Sequence, residues 1–85
     1  MRVKRKNAGD GRASLVDRVY DRILLRIVRG ELVGGAELKS TRLARDLGVS
    51  RTPVVQALGR LEADGIVVHE VNRRAVVRPG AENWL

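Results

Sequence analysis

Arg51, Thr52 and Gln56 are the side chains best equipped to read the polar edges of a groove, and they stand together in the run GVSRTPVVQAL at 48–58. A guanidinium fork matches guanine O6 and N7 or clamps a phosphate, and a carboxamide matches adenine N6 and N7. A threonine can bond a phosphate or meet a thymine methyl with its own. Val54, Ala57, Leu58 and Leu61 recur at helical spacing and fall on the other side, so one amphipathic helix buries them and presents the polar set outward. An α-helix fits the major groove of B-DNA with its first residues nearest the base edges. The spacing therefore implies a reader of double-stranded DNA.

Neighbouring residues extend the candidate set. Ser50 stands where a hydroxyl can serve the unpaired N–H groups at the helix start, either as a cap alone or as a cap that also meets a phosphate. Pro53 is tolerated in the first turn, where a missing N–H costs little. Val55 and, further along, Arg60 also face away from the apolar stripe. Val55 either packs on a thymine methyl or fills space beside the preceding helix, and we take the second. Ser40, Thr41 and Arg42 open that preceding helix, while Asn72, Arg73 and Arg74 form a basic tip that can reach backbone or an adjacent minor groove. These twelve positions, from Ser40 to Arg74, are the candidate DNA contacts. His69 has no second His or Cys to share a metal with, so it receives neither a ligand nor a catalytic role. No cofactor or metal is expected.

The elements that must hold these residues follow from periodicity. Apolar pairs Leu15/Val16, Val19/Tyr20, Ile23/Leu24 and Ile27/Val28 repeat every four residues, which predicts a first helix with one buried stripe. Ser14 and Asp17 have capping-box spacing, and Gly30 can end the helix. Arg18, Arg22, Arg26 and Arg29 lie on its other side and read as a solvated face. Residues 31–39, with Gly34-Gly35, predict a turn and one very short strand. Ser40 or Thr41 can cap a second helix built on Leu43, Ala44 and Leu47 and closed by Gly48, with Val49 plugging the turn. Two helices across so tight a turn make a helix-turn-helix. The third helix runs to about Ala63 and leaves through Asp64-Gly65. Residues 66–68 and 75–78 then form a β-hairpin. The expected fold is mainly α with a small β-hairpin: a winged helix-turn-helix of three helices plus a two-stranded wing. It occupies 14–79, between a flexible basic tail at 1–13 and a linker or C-terminal tail at 80–85, where Trp84 has no pattern around it.

A chain of 85 residues suits one modest core, and its 44% apolar content rules out wholesale disorder. Seventeen Lys and Arg against ten Asp and Glu leave a net charge of +7, which favours a polyanionic partner. There are no cysteines, so disulfides, thiolate metal sites and Cys nucleophiles are excluded. No apolar run approaches the ~20 residues of a membrane span, and the basic start lacks the apolar core of a signal peptide. A cytoplasmic protein is expected. Enzymatic function is disfavoured: no paired carboxylates, phosphate-cradling glycine loop or nucleophile–base spacing is present. Two rival uses of the same fold are a non-sequence-specific DNA-binding protein and a winged helix used for protein–protein contact.

Across 15–78 the chain resembles the winged-helix domain of GntR-family bacterial transcription regulators, and within them the FadR-like branch. The resemblance is carried by Ile23 through Gly30 with the Gly-Gly loop, by Leu43-Ala44, and by Leu47-Gly48-Val49-Ser50-Arg51-Thr52-Pro53-Val54. Ala57-Leu58, Leu61-Glu62-Ala63, Gly65-Ile66-Val67 and Asn72-Arg73 complete it. It implies a homodimer on a short palindromic operator and a C-terminal domain whose small-molecule effector adjusts DNA binding. That effector domain has no counterpart in these residues, and alone the present ones should be monomeric or weakly dimeric. Three positions depart from the family pattern. Val55 stands where the family has Arg, Thr41 replaces an Arg near the start of the second helix, and Arg74 replaces the wing-tip Gly.

Overall fold

Ser14 opens the fold with a reciprocal pair of hydrogen bonds. Its hydroxyl accepts from the Asp17 backbone N–H at 3.0 Å, and its own N–H donates to the Asp17 carboxylate at 3.4 Å. This capping box, placed where the spacing predicts it, satisfies donors that a helix start otherwise leaves without acceptors. Helix α1, Leu15–Val28, follows, then α2, Ser40–Leu47, and α3, Arg51–Ala63. Strands β1, Val67–His69, and β2, Ala75–Val77, complete the order. The computed structural model describes residues 14–71 and 74–81. The tail 1–13, the wing-tip pair Asn72 and Arg73, and Trp84 lie outside the described residues.

The core is where the three helices meet. Val19, Ile23 and Ile27 form the fully covered column of α1 and pack on Val54, Ala57 and Leu61 of α3. Tyr20 and Leu24, the sequence partners of Val19 and Ile23, are only partly covered, and Val28, the partner of Ile27, is exposed, because a single helix face can sink one column completely and must leave its flanks at the margin. Leu43, Ala44 and Leu47 bring α2 onto the same cluster. Gly48 caps α2 in the left-handed region, φ 71°, where a side chain would add roughly 1–2 kcal/mol of strain. This turn sets α3 across α2.

The wing is slightly displaced from its expected register. Gly65 N–H bonds Glu62 C=O and Ile66 N–H bonds Leu61 C=O, which is the Schellman closure of α3. Ile66 is therefore engaged in the helix exit, and β1 starts at Val67. Pairing is antiparallel, with Val67 opposite Val77 and His69 opposite Ala75. Residues 35–38 lie along the outer side of β2, through Val77 N–H to Ala36 C=O and Leu38 N–H to Ala75 C=O, so the very short strand expected there exists as an isolated bridge at Glu37. Gly34 lies so close to the chain's return that a Cβ there would stand 2.7 Å from Pro79 Cα. Pro79-Gly80 turns the chain back at this contact, and Ala81 enters the core with 3% of its surface exposed. The packing-free tail expected from residue 80 onward is corrected accordingly, since Ala81 belongs to the domain.

Candidate nucleic-acid interface

Arg51, Thr52, Val55 and Gln56 are exposed and together line a shallow depression of about 310 Å³ on α3. Val55 follows Arg51 by four residues and Thr52 by three, so all three belong to one face. Its side chain is 48% exposed, and the expectation that it fills space beside α2 is not met. It stands on the outward surface.

Ser40 sits one position inside α2 rather than capping it. Lys39 is the N-cap and offers no side-chain bond, so neither Ser40 nor Thr41 has the capping role expected. The Ser40 hydroxyl instead accepts a hydrogen bond from Arg51 Nε at 3.1 Å. One edge of the guanidinium is thereby fixed to α2, and its two terminal nitrogens have no partner among the described residues. A forked pair of donors is left for a base edge or a phosphate. Ser50 is the N-cap of α3, but its hydroxyl makes no capping bond. The residue three positions on is Pro53, which lacks the N–H that such a hydroxyl usually takes.

Between α3 and the wing runs a groove of about 580 Å³ whose walls include Ser40, Arg51, Val55, Glu62, His69 and Arg74. Arg74 lies 3.6 Å from the Glu37 carboxylate and 4.0 Å from that of Glu70, while His69 Nδ1 is 2.8 Å from Glu62 Oε2. These pairs are solvent-exposed, so each is weak enough to be exchanged for a stronger anion. Glu37 and Glu62 were absent from the sequence-based site. Their roles as charge partners depend on contacts across the fold, and nothing in their local spacing signals them.

Arg60 is placed elsewhere. Nine residues after Arg51 amount to about two and a half turns, so the two arginines flank opposite edges of the exposed face. Arg51 points to α2 and the wing. Arg60 meets α1, where it pairs with Asp17 at 2.5 Å and lies 4.9 Å from the centre of the Tyr20 ring. The Tyr20 hydroxyl donates in turn to Asp64 at the end of α3. Arg60 beside Asp17 holds that carboxyl below its usual value; burial opposes the shift, and the bonds from Ser14 add to it. Arg60, expected in the DNA-facing set, is thus engaged in the α1–α3 seam, with 43% of its side chain exposed. Arg42 lines a separate hollow with Arg26 and Asp46, and Thr41 is exposed on α2. Ser40, Arg51, Thr52, Val55, Gln56 and Arg74 are thus brought into one continuous surface, with Ser50 exposed at its head.

A family model described as "Bacterial regulatory proteins, gntR family" matches residues 15–77. The chain belongs to the GntR family. An uncharacterized HTH-type transcriptional regulator of Mycobacterium tuberculosis is 39% identical over 61 residues, covering 72% of this chain and 25% of the relative. A probable D-xylose utilization operon transcriptional repressor of Paenarthrobacter nicotinovorans is 34% identical over 74 residues, covering 87% of this chain and 33% of the relative. Among solved structures, Lar, described as controlling expression of the Listeria monocytogenes agr system, superposes with a TM-score of 0.74 at 40% identity. That likeness covers 79% of this chain and 31% of Lar. The chain thus spans a quarter to a third of the length of these curated relatives. The three helices and hairpin are the winged helix-turn-helix DNA-binding domain of a GntR-family transcription regulator. Among the described residues, no helix is long and apolar enough to cross a membrane.

Proposed function

We propose that this GntR domain binds double-stranded DNA sequence-specifically, with α3 in the major groove and the wing on backbone or minor groove. The observation that carries the reading is the exposed patch Arg51, Thr52, Val55 and Gln56, with Arg51 tethered through Nε and its fork left for a ligand. Bases are read from this patch, while the Ser50 hydroxyl and the cations around it take phosphates. The excess of basic residues supplies affinity without selecting sequence, so selectivity falls to α3. The role is one of binding rather than catalysis, in the bacterial cytoplasm. For a protein of the relatives' length, the reading extends to a homodimer on a palindromic operator, with a small-molecule effector acting through a second domain.

Selection of bound duplexes from a random pool tests this reading. A short common motif should be enriched over successive rounds. Binding that persists with no enriched motif would assign the domain to non-sequence-specific DNA binding instead.

A further inference from the structure

We propose that Val55 is a specificity-determining residue that reads the 5-methyl group of a thymine in the major groove. The inference rests on the sequence-specific reading above and names one of the groups that α3 recognises.

Exposed valines are ordinary, and exposure alone would assign Val55 nothing. Leu15, Leu25, Val28, Val33 and Val71 are also exposed, but they lie on α1, in the loop after it or beyond β1, and line neither groove beside α3. Val55 differs in position. It is the exposed large apolar side chain in the depression shared with Arg51, Thr52 and Gln56, and it also forms part of the wall of the wing-side groove. In the α3 depression it is therefore flanked by Arg51, Thr52 and Gln56, groups suited to base edges and phosphates, while offering no hydrogen bond itself; Glu37 and Glu62 stand in the wing-side groove.

Valine is short and stiff at χ1, so it cannot swing out to cover a distant apolar surface. What it touches must come to the helix. When α3 enters a major groove, the thymine methyl is the apolar group on the groove floor, whereas cytosine presents an amino donor at the neighbouring position. A valine pressed on that donor leaves it without a partner, which disfavours cytosine; pressed on the methyl, it removes apolar surface from water. Gln56, beside it in sequence, has the carboxamide that matches adenine. Together the two residues favour a step that contains A·T pairs.

The test uses the duplex that the chain selects from the random pool. Each thymine is replaced in turn by uracil, which removes the methyl and keeps every hydrogen-bonding group. At one thymine per bound α3, uracil should weaken wild-type binding about fourfold, the effect of roughly one buried methyl. Val55→Ala, a surface change that leaves the core untouched, should bind the thymine and uracil duplexes equally. If the wild type binds every uracil duplex as tightly as its parent, or if Val55→Ala keeps the thymine preference, the role of Val55 is overturned while sequence-specific binding stands. A pool that yields no common motif overturns both.

Discussion

Arg51 and Arg60 belong to the same helix and have the same chemistry, yet their partners give them opposite employments. Arg60 spends its charge on buried Asp17, whereas Arg51 gives only Nε to Ser40. If Arg51 reads DNA as proposed, the Ser40 hydroxyl acts through it, as a positioning group. Ser40→Ala should weaken binding to the preferred duplex by about 0.5–1.5 kcal/mol, the usual net worth of one hydrogen bond. In a double-mutant cycle it should add almost nothing to Arg51→Ala. Fully additive losses would mean that Ser40 touches DNA independently. The outward patch was legible from helical period alone, because Val54, Ala57 and Leu61 fix which side is buried. The Ser40–Arg51 bond was not, since it joins residues eleven apart across a turn whose geometry only the folded helices define. Pro53 did carry a readable signal at Ser50, in that the expected cap lacks its donor.

At the scale of elements, the seam between α1 and α3 combines an apolar column with one buried charge. Asp17 closes the capping box of α1 and receives Arg60 from α3, so a single carboxylate fastens a helix start to its neighbour. Its folded pKa is lowered below the ordinary 3.8, chiefly by the Arg60 hydrogen bond. A carboxyl lowered in this way contributes stability that is fully present above its unfolded pKa and is lost as pH falls through the folded one. Arg60→Ala removes the main lowering influence, leaving burial, which raises the pKa, opposed only by the bonds from Ser14. Acid unfolding, followed by far-ultraviolet circular dichroism, should then begin at a higher pH than in the wild type. An unchanged acid midpoint would show that the pair does not couple to folding. Helix existence and order were legible from the four-residue repeats and the glycine stops. Strand ends were not, because Ile66 lies in an apolar run that satisfies a strand and a Schellman closure equally well. Ala81 was missed for a similar reason: its burial depends on the close approach of Gly34 to Pro79, and a lone alanine after Pro-Gly carries no pattern.

The whole molecule separates attraction from discrimination. A net charge of +7 over the 85 residues favours attraction of the chain to any duplex, and such attraction falls steeply with salt. In the proposed reading, discrimination falls to the few side chains at the head of α3, held in place by α2 and flanked by the wing. The overall fold was legible because its core is made of local helical repeats, while the cross-element charge pairs around the wing, such as Glu37 with Arg74, required the tertiary structure. The most direct measurement compares the affinities of wild type and Arg51→Ala for the selected duplex and for a scrambled duplex of the same composition, at one fixed salt concentration. Arg51→Ala should lose about 1–3 kcal/mol on the selected duplex and much less on the scrambled one, narrowing the gap between them. Equal losses on both duplexes, or no loss in a folded variant, would contradict base reading by α3 through Arg51.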